Sequence, residues 1–418
     1  MKQYLTNNKY PFLLLIIGLF WIVFFNYSLQ VLNQGIIYPD AHSYVNSSKD
    51  LYFFFRGHLT RPIGMAFITG IPLIFGASTS NLFVFGFYLN FICWISFLLL
   101  LFQLLKEILR PKIAFIFSML SMLFIGNTAS IFQVSSESIY LLFIAFGLLF
   151  FLKYYKNNSF WYLSLALSFV ILSCLIKPGS IVLAIVFTGY FSIEIFNKYK
   201  SKAAYLIYGS WLLILIQCAG LKYQFGNFTT SYIDAITYYC YLGAKSNALD
   251  TNQDFKKVWL DRTNFIYSQN PPAIKLIAKT DAIKQLQTNK INLVKAYGMN
   301  LFENATTGSF PIQDYKNGSN EEYFNVLKKW LFELSIWQNI AFSILSIFFA
   351  TYVFFSSYKS ETYYSIISFF ILATIFLSGL SCSEGDRFNV ITFPFTLILI
   401  AKFFSDKSIF FRRNYTLL

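Results

Sequence analysis

From Pro11 to Leu32 the chain reads PFLLLIIGLFWIVFFNYSLQVL, a run of 22 residues without a charge. At 1.5 Å per residue a helix of this length crosses the roughly 30 Å of hydrocarbon in a bilayer. The run is long for a signal peptide and shows no clear small-residue cleavage site before the next polar stretch, so it reads as a retained anchor helix. Runs of the same kind recur at 81–105, 113–125, 139–152, 160–176, 181–196, 203–221, 331–355, 363–380 and 388–404, which makes about ten spans. Composition agrees: of 418 residues 56% are hydrophobic and 12% charged, about half the charged share of a soluble domain, which excludes a soluble enzyme.

The net charge of +14 would suggest nucleic acid in a soluble protein, but here Lys and Arg occur in small clusters between the apolar runs. That is a topology signal, and no nucleic-acid partner is expected. The stretch Pro62 to Ala77, broken by Gly64, Gly70, Pro72 and Gly76, is too short to span and reads as a juxtamembrane or re-entrant helix. Left out as a span, it places Lys2, Lys9, Lys106, Arg110, Lys112, Lys153, Lys156, Lys198, Lys200, Lys202, Lys359, Lys402, Lys407, Arg412 and Arg413 on the N-terminal side, as the positive-inside rule requires. The expected fold is therefore an all-α, multi-pass integral membrane protein of a bacterial inner membrane, with both termini cytoplasmic.

Three units follow: a membrane module over 1–221 whose first outer loop is 33–62, an outer loop domain over 222–330, and C-terminal helices with a short tail over 331–418. From Lys222 to Lys329 the chain carries 13 of its 33 Lys and Arg and 9 of its 19 Asp and Glu, so this segment faces water. Helix-like stretches are expected at 254–265, 272–287 and 320–331, around a turn-rich piece at 308–320. Its carboxylates, with Asp50 and Asp234, read as solvated surface. The five cysteines lack metal-binding spacing, and a Cys240–Cys382 disulfide stays open.

Ionisable residues at helix ends are costly near lipid, and on the outer side they are Asp40, His42, His58, Arg61, Glu137, Lys177, Glu384, Asp386 and Arg387. They come from separate stretches that can converge on one cavity. The first loop reads Tyr38-Pro39-Asp40-Ala41-His42-Ser43-Tyr44. An amphipathic stretch follows, with Tyr44, Leu51, Tyr52 and Phe55 on one face and expected to lie flat at the interface, and then Arg61-Pro62-Ile63-Gly64. Later pieces are Ser136-Glu137-Ser138-Ile139-Tyr140, Lys177-Pro178, and Glu384-Gly385-Asp386-Arg387-Phe388 with Pro394 before the last helix.

This ordered set resembles the polytopic lipid-linked-sugar glycosyltransferases of the GT-C superfamily, those of the protein mannosyltransferase and aminoarabinose transferase kind. Members of that family place Pro-Asp followed by Tyr in the first outer loop, with Arg-Pro-x-Gly some twenty residues on. Lys177-Pro178 stands where many have Arg-Pro, and Glu384-Gly385-Asp386-Arg387-Phe388 stands in place of Glu-x-Arg-Tyr. The resemblance covers the first seven helices and the C-terminal motif. It implies the GT-C fold and an inverting hexosyl- or pentosyltransferase that moves a sugar from a polyprenyl phosphate to a hydroxyl on a lipid, glycan or protein. Asp40 would be the general base, Arg61, Lys177 and Arg387 the phosphate holders, and Glu137, Glu384, His42, His58 and Tyr44 further substrate-binding residues. No cofactor is implied. A divalent cation stays open, although the loop offers Asp40 with His42 and no Asp-x-Asp.

Plainer roles exist for each residue. Asp40 and Glu137 could cap helices, Arg61 could anchor to headgroups, Lys177 could simply occupy a turn, and Glu384 with Arg387 could be a loop ion pair. The histidines could be merely hydrogen-bonded. Two other functions compete: a polymerase or ligase of lipid-linked polysaccharide, for which the long loop offers only Arg262, and a transporter or flippase, which would place charges near the bilayer midplane in repeated halves.

Overall fold

A computed structural model describes residues 2–34, 38–318, 320–357 and 361–407; Lys359, Arg412 and Arg413 lie outside the described residues. The first half comprises α1 (Lys2–Leu29), α2 (Pro39–Phe54), α3 (Ile63–Thr69), α4 (Thr79–Lys106), α5 (Pro111–Met122), α6 (Ile125–Ile131), α7 (Glu137–Asn157), α8 (Phe160–Leu172), α9 (Ile181–Tyr190), α10 (Ser192–Asn197) and α11 (Ala204–Phe225). The polar segment holds α12 (Ile233–Thr237), α13 (Gly243–Thr251), α14 (Phe255–Tyr267), α15 (Pro271–Thr288), α16 (Lys290–Thr306) and α17 (Phe310–Asp314). The chain closes with α18 (Glu322–Ser357), α19 (Thr362–Ser378) and α20 (Phe393–Lys407), and no strand occurs among the described residues.

Five helices, α1, α4, α7, α11 and α18, are long and apolar enough to cross a membrane, and α5 with α6, bent by 65° at their break, would make a sixth. The other four expected runs form shorter apolar helices. The 181–196 run is split at Phe191, and α19 and α20 have 17 and 15 residues, about 26 and 22 Å. Several of these helices stop short where the polar pieces Lys177-Pro178 and Glu384-Gly385-Asp386-Arg387 begin. The stretch from Pro62 to Ala77 is no span: it is the seven-residue α3 followed by a 3₁₀ turn at Ile71–Phe75.

Local chemistry sets the ends. Pro39 and Pro111 open α2 and α5, where a missing N–H costs nothing, and Ser78 caps α4 by accepting from Asn81 N. Asn158, at φ 48°, and Gly226, at φ 88°, end α7 and α11 in the left-handed region. One difference from expectation lies in α2. Tyr44 is buried, but Phe55, expected on the same face, is exposed because it leaves the helix at φ 51°.

The bundle has two distinct ends. Asn90 of α4 donates from Nδ2 to the Gln133 carbonyl (2.5 Å) just ahead of α7, while Glu107 beyond the other end of α4 pairs with Lys156 at the end of α7. The two helices therefore run parallel, with Glu137 at one end and lysines at the other. Between them the core is aromatic and aliphatic, with Phe395 5.9 Å from Phe97 and 5.2 Å from Phe370.

The polar segment is ordered and helical. The expected helices appear as α14, capped by Asp254, as α15, and as the start of α18, which continues unbroken for 36 residues. The turn-rich piece contains the short α17, and α16 was not expected at all. The carboxylates are less solvated than the sequence suggested: Asp281 takes both Nη atoms of Arg262 (3.1 and 2.7 Å), Glu303 takes Lys245, and Asp50 takes Arg56. All five cysteines are free and buried, so Cys240 and Cys382 do not pair.

Gly64 lets α3 press on the end of α8. A Cβ there would sit 2.6 Å from the Leu175 carbonyl oxygen, which is backbone and cannot yield cheaply. Gly64→Ala is expected to destabilise the protein by about 1–3 kcal/mol. Gly179→Ala, whose added methyl meets nothing within 4 Å, serves as the control, with melting temperatures of the two purified variants as the readout.

Candidate active site

Asp40 lies in the first turn of α2, yet its carboxylate does not cap that helix. Its Oδ1 pairs with Arg61 Nη2, and its Oδ2 accepts from Arg387 Nη1 at 2.8 Å. Arg61 also donates from Nε to Ser43 Oγ (2.6 Å) and lies over the Tyr44 ring, 4.6 Å from its centroid. Arg387 is the hub. Its Nε donates to Glu137 Oε1 (2.7 Å), its Nη1 also reaches Glu384 Oε2 (3.2 Å), and its guanidinium lies 5.0 Å from the Tyr38 ring centroid. Lys177 closes the set on Glu137 Oε1 at 3.3 Å, with Tyr140 and Phe388 rings 5.8 and 5.9 Å from its Nζ.

Six sequence-predicted residues thus meet in one lattice of three carboxylates and three cations, formally neutral. That balance is what burial demands, because an unpaired charge here would bear its full desolvation cost. The lattice has a deeply buried side and a partly exposed one. The Glu137 side chain is 1% exposed and that of Arg387 9%, whereas Asp40 and Glu384 keep 28% and 29%. Burial alone would raise the Asp40 carboxyl, but Arg387 and Arg61 beside it hold it well below the usual carboxylate range. Burial pushes the Lys177 ammonium down against the pull of Glu137, and pushes Glu384 up against Arg387.

Three predicted residues play other parts. Tyr44 is the platform under Arg61. His58 has no described bond to the lattice carboxylates: its Nδ1 accepts from the N–H groups of Thr60 (3.2 Å) and Arg61 (3.3 Å), bracing the turn that delivers Arg61. Burial lowers its pKa, which suits this neutral acceptor role. His42 is exposed and sits edge-on to Phe83, 5.7 Å between centroids, with no described contact to the lattice. Among the described residues no group of three or more His, Cys, Asp and Glu is arranged to hold a metal ion.

Sequence reading missed the residues that hold the Arg387 loop. From α16, Asn300 Nδ2 donates to the Gly379 carbonyl (3.0 Å), and Asn304 Nδ2 donates to those of Ser378 (2.9 Å) and Ser381 (3.0 Å). Glu303 Oε1 accepts from the N–H (2.9 Å) and Oγ (3.2 Å) of Ser383, a non-glycine residue held at φ 64°. Its Oε2 takes Lys245 Nζ at 2.8 Å. Gly385, at φ 63°, packs where a Cβ would stand 2.5 Å from the Gly308 carbonyl oxygen. The Asn300 and Asn304 pair, four apart and so on one helix face, was the available signal.

No family model matches the chain, and no curated protein or solved structure matches it.

Two outcomes are expected. Glu303→Ala and Asn304→Ala should each cost about 1–3 kcal/mol by leaving buried or strained backbone unsupported, read as lost melting temperature. Asp386 is buried with no ion partner among the described residues, and burial pushes its carboxyl up to about 7. With its folded pKa above the ordinary 3.8, the folded state keeps a proton that the unfolded chain releases, so its stability falls as pH rises from about 4 to 7. Asp386→Asn should therefore gain about 2–4 °C in melting temperature relative to wild type between pH 5 and pH 8.

Proposed function

We propose that the protein is an inverting glycosyltransferase of GT-C type, with about ten membrane passes in a bacterial inner membrane, both termini cytoplasmic, and the Glu137 end outward. It moves a sugar from a polyprenyl phosphate to a hydroxyl of a lipid, glycan or protein. The observation that carries this reading is the meeting of Asp40, Arg61, Glu137, Lys177, Glu384 and Arg387 in one ion-pair lattice that is partly exposed at Asp40 and Glu384. A simple cap or headgroup anchor needs no such convergence, and the charges gather at helix ends rather than mid-helix.

In this reading the lattice rests in a closed electrostatic state. Asp40 is a weak base while both its oxygens accept from guanidinium groups. A donor phosphate competes for Arg61 and Arg387, because its oxygens match a guanidinium fork as well as a carboxylate does. Losing those bonds lets the Asp40 carboxyl climb toward its ordinary value, so base strength arrives together with the donor. Asp40 then takes the proton from the acceptor hydroxyl, whose oxygen bonds to the anomeric carbon. The carbon–oxygen bond to phosphate breaks on the opposite face, and the phosphate leaves with the bonding pair into the field of Arg61, Arg387 and Lys177. Glu137 keeps the deeper cations in place, and Glu384, on the partly exposed side, is placed to meet sugar hydroxyls.

The test is transfer of radiolabelled sugar from a panel of polyprenyl-phosphate sugars to membrane acceptors, comparing wild type with Asp40→Asn at matched expression. A loss of about 10²-fold or more with donor binding retained is expected. Full transfer by Asp40→Asn, or no transfer from any donor by wild type, overturns the assignment.

A further inference from the structure

The end of the bundle opposite the lattice holds a second constellation. Between the last turns of α7, the break joining α9 to α10, and the start of α19 lies a cavity of about 400 Å³. Tyr154, Tyr155, Tyr190 and Phe191 line it together with Glu194. The rings meet at steep angles: Tyr190 and Phe191 are 4.8 Å apart at 87°, and Tyr154 and Phe191 are 5.9 Å apart at 89°. Walls of this kind present several ring faces to one volume, and each face attracts a cation through its quadrupole.

Glu194 is the one acidic residue between positions 138 and 233, in a region otherwise charged only by lysine and marked by Lys153, Lys156, Lys198, Lys200 and Lys202. Even so, no cation pairs with it among the described residues, and Lys156 pairs with Glu107 instead. The described partner of Glu194 is the Tyr154 hydroxyl, which donates to Oε2 at 2.5 Å and leaves Oε1 with no described donor. A belt of interfacial tyrosines explains rings at headgroup depth. It does not explain a carboxylate set among them without a lysine.

We propose that this cavity seats the headgroup of an ethanolamine phospholipid. The ammonium group lies against the tyrosine faces and donates to Glu194 Oε1, while the lipid phosphate meets lysines of the turn after α10. A primary ammonium suits the site better than a trimethylated one, because a carboxylate oxygen and tyrosine hydroxyls reward N–H donors. The position at a bundle end, with Tyr190 and Ile193 exposed, gives the acyl chains a path to bulk lipid. The proposal is independent of the chemistry at Asp40.

The full-length protein, purified in detergent, is examined by native mass spectrometry against phosphatidylethanolamine, phosphatidylcholine and phosphatidylglycerol of identical acyl chains. Wild type is expected to retain the ethanolamine lipid about tenfold more strongly than the glycerol lipid. Glu194→Gln, which keeps the shape, should abolish that preference while its melting temperature in phosphatidylglycerol stays that of wild type. Should Glu194→Gln fail to fold, Tyr190→Ala, which removes a half-exposed ring, should weaken retention of the ethanolamine lipid about fivefold. Equal retention of the three lipids by wild type, or an unchanged preference in the variants, overturns the proposal. Full displacement of the lipid by millimolar phosphoethanolamine without acyl chains would assign the site to a soluble amine and overturn the lipid assignment.

Discussion

A guanidinium buried at the end of an apolar bundle must be neutralised and hydrogen-bonded where it lies, and Arg387 imposes that requirement on its surroundings. It draws Asp40 from α2, Glu137 from the first turn of α7 and Glu384 from its own loop. The excess negative charge that results is balanced by Arg61 and Lys177. The positions of α2, α3, the α8–α9 turn and the α19–α20 loop are thereby tied to one another. Replacing such a network by hydrocarbon is often neutral or favourable in stability terms, so a network of this kind is weak evidence of strength.

The polar segment serves this network from outside. Its hydrogen bonds to the Arg387 loop come from Asn300, Glu303 and Asn304 of α16 and from the Gly308 carbonyl, which accepts from Asp386 N at 3.2 Å, and its cluster around Tyr232 also packs Leu59 beside the Arg61 turn. Ser231 Oγ adds a bond to the Thr60 carbonyl at 2.8 Å. Both arginines that hold Asp40 are thus braced by one segment of chain, which is a structural reason for so large an insertion between membrane helices.

Much of this was legible in the sequence, because membrane burial leaves a strong compositional trace. The uncharged run at Pro11 to Leu32 and its relatives announced the long helices, and the few ionisable residues stood out against an apolar background. Six of those residues do meet. The differences between reading and structure have physical causes as well. Several apolar runs form helices shorter than their runs, because hydropathy cannot see where a polar motif cuts into a helix end. His58 and His42 drew attention by rarity; the first braces the Arg61 turn and the second sits exposed beside Phe83. Glu303 passed for surface because its partners, Lys245 and Ser383, lie 58 and 80 positions away.

The lattice also has an order in time. Asp40 lies 347 positions ahead of Arg387, and Glu137 lies 250 ahead, so both carboxylates are made and threaded into position long before their shared partner emerges from the ribosome. Until then Arg61 and Lys177 are their only cations in the lattice. The last loop and α20 are therefore what completes the assembly: the step that closes the fold is also the step that completes the candidate active site, and a chain stopped before Glu384 would have neither.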